Sequence, residues 1–406
     1  MGACPFRGID YWERSLESPL NYPRFLEIVR AVSSEIRSGD SEKALQTIQW
    51  MRGARPLPGD PRADIWVIFL EGIVGFYTEL RKSSLDRLIR SASLAKALGY
   101  SDIHSSILPW VAHVAFNAER FELVGESLKG ALENTKYLSS LELARVALVL
   151  ADSYQLLGRV GDSNEWYRLA HRASVAAADR PSIGAVIFNR LSIGLSRARV
   201  DFALGRIDET PESRKWVVEA LSSNSFHELV SISSLRDLAD LSTARSLCIV
   251  ERYEQATLIF EELLKSELSS IGGVSRDYLI IEFSVALMRA GELDRARRVI
   301  AEINRVNLAA MDSDDQCVLA HFAADLVEHL GVLIPGIPNP MDLELLASRW
   351  DQKLLLLDET IQALDPHLRA ACASAFSRSS QRAESVGCAG VAPWVACWMV
   401  SVARTW

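Results

Sequence analysis

The chain lacks the fingerprints of the common enzyme classes. It has no phosphate loop of the G-x-x-x-x-G-K-[ST] type, no G-x-G-x-x-G after a strand, no H-E-x-x-H and no G-x-S-x-G. It lacks any run of about eighteen uncharged apolar residues, the length of a membrane span. The nearest approach, Gly387 to Ala403, is interrupted by Pro393. Basic charge is not in surplus: the formal net charge is −8, which argues against a general nucleic-acid binder. The six cysteines form no C-x-x-C pair, so reduced thiols in a cytoplasmic protein are expected. The N-terminus has no apolar core of a signal peptide. Gly2 and Cys4 invite acylation, but Phe6 stands where that motif wants Ser or Thr. Alternating strand patterns are absent too.

What is present is helical periodicity almost throughout. Apolar residues recur at spacings of three and four, in stretches dominated by Ala, Leu, Glu, Arg and Ser. At 406 residues the chain is long for one compact core, but a repeat array grows without thickening its core. Leu141 to Ala176 reads as a helix, a tight turn at Gly158 and a second helix. Two later units turn near Glu251 and at Gly291. Equivalent turns fall at Gly39, Leu80, Glu119, Gly158, Gly205, Glu251, Gly291 and Gly331, about 40 residues apart, which is the mark of a solenoid.

Small residues stand at fixed offsets from those turns. Seven before it are Ala112, Ala151, Ala198, Ala244, Ser284 and Ala324. Five after it are Ala44, Ser163, Ala256 and Ala296, and twelve after it Ala92, Ala131 and Ala170. Such positions let paired helices approach closely. With an aromatic such as Tyr154 in the first helix, glycine at the turn, and Trp166, Tyr167 or Phe260 in the second, the pattern resembles the tetratricopeptide repeat family over about residues 20–335. The unit is longer than that family's 34 residues. In this it is similar to the sensor regions of bacterial signalling proteins, those preceding diguanylate cyclase domains or in LuxR-type activators. The phrases AKALGYSD and YQLLGRVGDSNEWYRLA carry that likeness. The cyclase's own acidic Gly-Gly signature is missing.

The expected fold is therefore all-α, a right-handed superhelix of about eight antiparallel hairpins. Residues 1–20 form an N-terminal segment and 21–335 the array. A break at Pro335, Pro338 and Pro340 precedes capping helices over 341–384. Residues 385–406 form an apolar tail with Trp394, Trp398 and Trp406. That tail reads as a cap, a membrane-surface contact or the replacement of an output domain.

The tetratricopeptide resemblance implies a concave groove lined by the first helices. Six positions before the turn, a groove-facing slot in that family, stand His113, Asp152, Arg199, Arg245, Val285 and Asp325. Nearer the turn come Asn117, Gln155, Arg289 and His329, and Trp110 precedes His113 by one helical turn. Three arginines on one wall (Arg199, Arg245 and Arg289) suit a carboxylate or phosphate, although solvated or locally paired arginines are the plainer reading. His321, Asp325 and His329 fall on one face of a helix, one turn from Cys317. That set could carry zinc, but one helix usually brings only two ligands to an ion and no matching set stands elsewhere. DSDD at 312–315 opens a helix, where acids are favoured.

The expected function is binding in the concave groove, without a cofactor and without catalysis. The partner is a protein or peptide segment or a small anionic ligand; nucleic acid and stable membrane insertion are not expected, and a homo-oligomer stays compatible. The rival readings are a sensory module lacking its output domain and a metal-dependent enzyme built on His321 and His329.

Overall fold

The structure is a computed structural model. It describes residues 21–385 apart from 55–56, 58, 80–81, 207–212, 231–234, 266–274, 304–305, 309–310 and 339–341. The N-terminal segment, the turn at Leu80 and the Trp-rich tail over 386–406 lie outside the described residues. Within them are sixteen α-helices and no strand. They pair as α1 (Tyr22–Ser38) with α2 (Ser41–Ala54), α3 (Pro61–Glu79) with α4 (Lys82–Ala97), α5 (Ser101–Asn117) with α6 (Phe121–Glu133), and α7 (Ser140–Leu156) with α8 (Val160–Ala176). Then follow α9 (Arg180–Ala203) with α10 (Ser213–Val230), α11 (Arg236–Ile249) with α12 (Tyr253–Lys265), α13 (Arg276–Arg289) with α14 (Leu293–Ile300), and α15 (Ser313–Leu330) with α16 (Leu343–Ser385). The fold is the all-α superhelical repeat expected, with eight hairpins.

One turn geometry is used again and again. Gly39, Glu119, Gly158, Gly205, Glu251, Gly291 and Gly331 all have left-handed φ, between 53° and 101°. In all but the last of these, the next residue's N–H reaches back to the carbonyl five residues earlier. Arg159 N to Tyr154 O at 2.9 Å and Arg252 N to Leu247 O at 2.9 Å are examples. This Schellman closure satisfies carbonyls that the helix end would otherwise orphan, and its left-handed residue is the reason glycine recurs. The same closure also joins successive hairpins at Gly99 and Ala178, where Tyr100 N bonds Ala95 O and Asp179 N bonds Ser174 O. Nothing in the sequence around Ala178 announces it.

The small residues at fixed offsets do what the spacing requires. All are buried except Ala198 and Ala324, which are half-buried. Beyond the proline break the sequence suggests two helices; the structure has one, α16, running straight through Pro366. Its buried stripe is Leu346, Trp350, Leu357, Ile361, Leu364 and Leu368.

The array does not stay open. The end of α1 meets the start of α9, α9 packs on α15, and α16 crosses back onto α6 and α7. Gly125 on α6 permits that crossing: a Cβ there would stand 2.6 Å from Thr360 Cγ2. Lys353 of α16 pairs with Glu119, Arg206 with Asp351 at 2.7 Å, and Arg159 with Asp358 at 2.5 Å. Glu119, at the third hairpin's turn, also accepts from the backbone N–H of Ser313 at 3.1 Å and from its hydroxyl, capping α15. Two apolar cores result. One spans α1 to α9 and is completed by α15 and α16, the other fills α10 to α15, and both draw on α15.

Candidate functional site

The first helices of successive hairpins contact one another, α1 with α3, α5 with α7, α7 with α9, α9 with α11 and α13 with α15, and charged and aromatic side chains stand along that line of contact. Two groups can be distinguished along it.

The first lies between α9, α11, α13 and α15. Arg199 donates to Glu282 and, at 2.8 Å, to the Tyr278 hydroxyl; Arg245 grips the same carboxylate through contacts of 2.9 to 3.1 Å. Asp315 accepts from Arg199 at 3.3 Å and lies 3.7 Å from Arg245, and the neighbouring Asp314 accepts from Ser196. Burial works against the charge on Arg199, but Glu282, Tyr278 and Asp315 outweigh it and hold its pKa above the usual value. This is a buried two-arginine, two-carboxylate seam in which each guanidinium has acidic partners.

The structure thus brings Arg199 and Arg245 together, as the turn register expects, but places Glu282 between them. Arg289 is not part of that group; it pairs with Asp325 at 2.6 Å, toward the C-terminal ends of α13 and α15. Those three arginines are locally paired within the protein. The His321 ring meets Phe202 edge-on at 5.8 Å; burial lowers its pKa, Asp325 partly opposes this, and His329 is exposed. Among the described residues no group of three His, Cys, Asp or Glu is placed to hold a metal ion.

The second group lies between α3, α5 and α7. Trp110 stands edge-on to Phe69, Tyr77 and His113, with centroids 6.2 to 6.4 Å apart. Over its ring lies the guanidinium of Arg145, 3.8 Å from the centroid. Arg145 is 4% exposed and His113 5%. Burial pushes the His113 imidazole well below its ordinary value, Arg145 reinforces this, and the ring is neutral. Farther along α7, Asp152 is wholly buried and accepts from Tyr167 and Asn189, each at 2.8 Å; burial lifts its carboxyl to about 7. Gln155 accepts from Ser163 at 2.6 Å across the hairpin, and Asn117 is exposed, donating to the His113 carbonyl at 2.9 Å.

Arg145 was not among the residues the turn register singles out. Its signal was elsewhere: from Ala144 to Leu156 every residue of α7 is buried, and Arg145 and Asp152 are the only charges in that stretch. Arg37 was missed although it occupies the same slot as Asn117 and Arg289, two before a turn. It is buried and pairs with Asp179, the residue that caps α9. Glu282 was missed because a glutamate on a first helix reads as a solvated charge.

No family model matches the chain, and no curated protein matches it. Among solved structures it is similar to a Rap protein in complex with competence and sporulation factor. The TM-score is 0.53 at 12% identity, over 94% of this chain and 97% of that one. At that identity the likeness speaks for the fold.

Proposed function

We propose that the chain is a regulatory binding module, not a catalyst, and that it takes an extended peptide or protein segment along its inner face. One observation carries this reading. The inner face holds Trp110, His113, Arg145, Asp152, Arg199 and Glu282 inside the molecule, where a purely structural array would place apolar side chains. A segment with matching charges can exchange for these internal contacts, and the hairpins then shift against one another. The similar Rap structure is itself a complex, with competence and sporulation factor, and supports the reading by analogy of fold. An action in bacterial signalling in the cytoplasm, with the output supplied by a separate protein, fits the same picture. Among the described residues no helix is long and apolar enough to cross a membrane.

The test is selection of segments from a displayed random-peptide library on the full chain, followed by photo-crosslinking. Adducts on α5, α7 and α9 are expected. Adducts confined to the second helices α6, α8 and α10 would remove the reading.

A further inference from the structure

We infer that Arg145 is the anchor of a subsite for a ligand carboxylate, with Trp110 beneath it and His113 beside it. The inference deepens the inner-face reading above and rests on it.

Three arginines are buried among the described residues: Arg37, Arg145 and Arg199. Arg37 has Asp179, and Arg199 has Glu282 and Asp315. Arg145 has no carboxylate. Its Nη1 is closed off from solvent with no hydrogen-bond partner, and so is Nδ1 of His113. Its direct contacts are neutral: the Trp110 face, the His113 ring and the Tyr77 hydroxyl. Burial holds its pKa below the usual value; farther off, Arg37 opposes its cation and Asp179 favours it. Of the two acids on this helix, Glu142 accepts from Ser139 at its start and Asp152 has its oxygens held by Tyr167 and Asn189. A buried cation without a counter-charge is costly, by several kcal/mol in general. In a protein that pairs its other buried guanidiniums with acids, the missing acid is supplied from outside.

The chemistry of the anion follows from the donors. A guanidinium stacked on an indole has its plane fixed, so its fork presents two parallel N–H groups, the arrangement that suits a planar carboxylate. The site offers one positive charge, because His113 is neutral. A carboxylate cancels that charge, whereas a phosphate dianion would leave a surplus negative charge away from water. Both a side-chain or terminal carboxylate of a peptide and a free small carboxylate present this group.

The experiment uses the full chain at constant ionic strength. Probes are acetate, succinate, Ac-Ala-Asp-Ala-amide, Ac-Ala-Asn-Ala-amide, Ac-Ala-Ala with a free C-terminus, and inorganic phosphate. The readouts are the thermal midpoint and the imidazole NMR signal of His113, assigned among the seven histidines by its loss in His113→Gln. At least one carboxylate is expected to raise the midpoint saturably and to move the His113 signal, and the Asn peptide to do neither. Which carboxylate acts identifies its source as side chain, terminus or free acid. Arg145→Gln should weaken the effect about tenfold or more, and Arg145→Lys, which keeps charge without the fork, should fall between.

The inference is overturned if no carboxylate moves the His113 signal, if phosphate is preferred, or if Arg145→Gln binds unchanged. Should Arg145→Gln fail to fold, the wild-type titration and Arg145→Lys still decide. Segments that crosslink to the inner face equally well in wild type and Arg145→Gln would remove the subsite and keep the binding function. If no segment crosslinks there, the function is lost, while the titration of small carboxylates rules on the subsite separately.

Discussion

Residues placed in the left-handed region show how one backbone position can serve two ends. Glu251 and Ala178 have φ of 58° and 52°, and neither side chain has a use that demands the position. Such a conformation costs a non-glycine residue about 1 kcal/mol or more. Glu251→Gly and Ala178→Gly should each stabilise the protein by about 0.5–1 kcal/mol in urea denaturation. Glu119, at φ 53°, is the contrary case, because its carboxylate serves Ser313 and Lys353. Glu119→Gly should cost roughly 1–2 kcal/mol despite the relieved backbone. A second residue-scale effect depends on pH. Asp312 is itself exposed, but its packed surroundings and the neighbouring Asp314, Asp315 and Glu119, against Lys353, lift its carboxyl to about 8. The folded state therefore holds a proton that the unfolded chain releases near its ordinary value. That contribution is complete below about pH 4 and is lost as pH rises through 8. Asp312→Asn should be more stable than wild type at pH 9, with the difference shrinking toward pH 5 when midpoints are compared.

At the scale of elements, α16 is the helix that the repeat pattern foresees least well. Its contact with α6 depends on the missing side chain of Gly125. Gly125→Ala gains helix propensity of about 1 kcal/mol but drives a methyl into Thr360. A net loss of roughly 1–2 kcal/mol is expected. Thr360→Ser removes the opposing methyl, so the double variant should recover the loss, a coupling that a denaturation cycle measures directly. The hairpins themselves were legible because a tight pair of helices needs small residues and a left-handed turn, both of which leave a mark at fixed spacing. The closure at Ala178 was not, because alanine in that conformation looks like any helical alanine. The pairing of Arg199 and Arg245 through Glu282 was hidden for another reason. The turn register says which face a residue occupies, but not what stands opposite when the array coils back on itself.

At the scale of the whole molecule, the polar seam between α9, α11, α13 and α15 holds the later hairpins against the earlier ones. Glu282 is its centre, 4% exposed and shared by two guanidiniums. Glu282→Gln leaves both arginines short of negative charge and should cost roughly 3–5 kcal/mol. Small-angle scattering should show the radius of gyration rising if the seam opens, as a binding module that works by shifting its hairpins requires. An unchanged radius with full stability would mean that the seam is not the fastening.

The order in which the chain leaves the ribosome meets this architecture in one place. Helix α16, which completes the first apolar core by lying on α6, is synthesised more than two hundred residues after its seat. During that interval the face of α6 around Gly125, which will receive Thr360, has no cover. The early hairpins can stack as they emerge, but the first core is closed only after synthesis has passed residue 368, so premature termination shortly before that point would release a chain with an uncovered, adhesive flank.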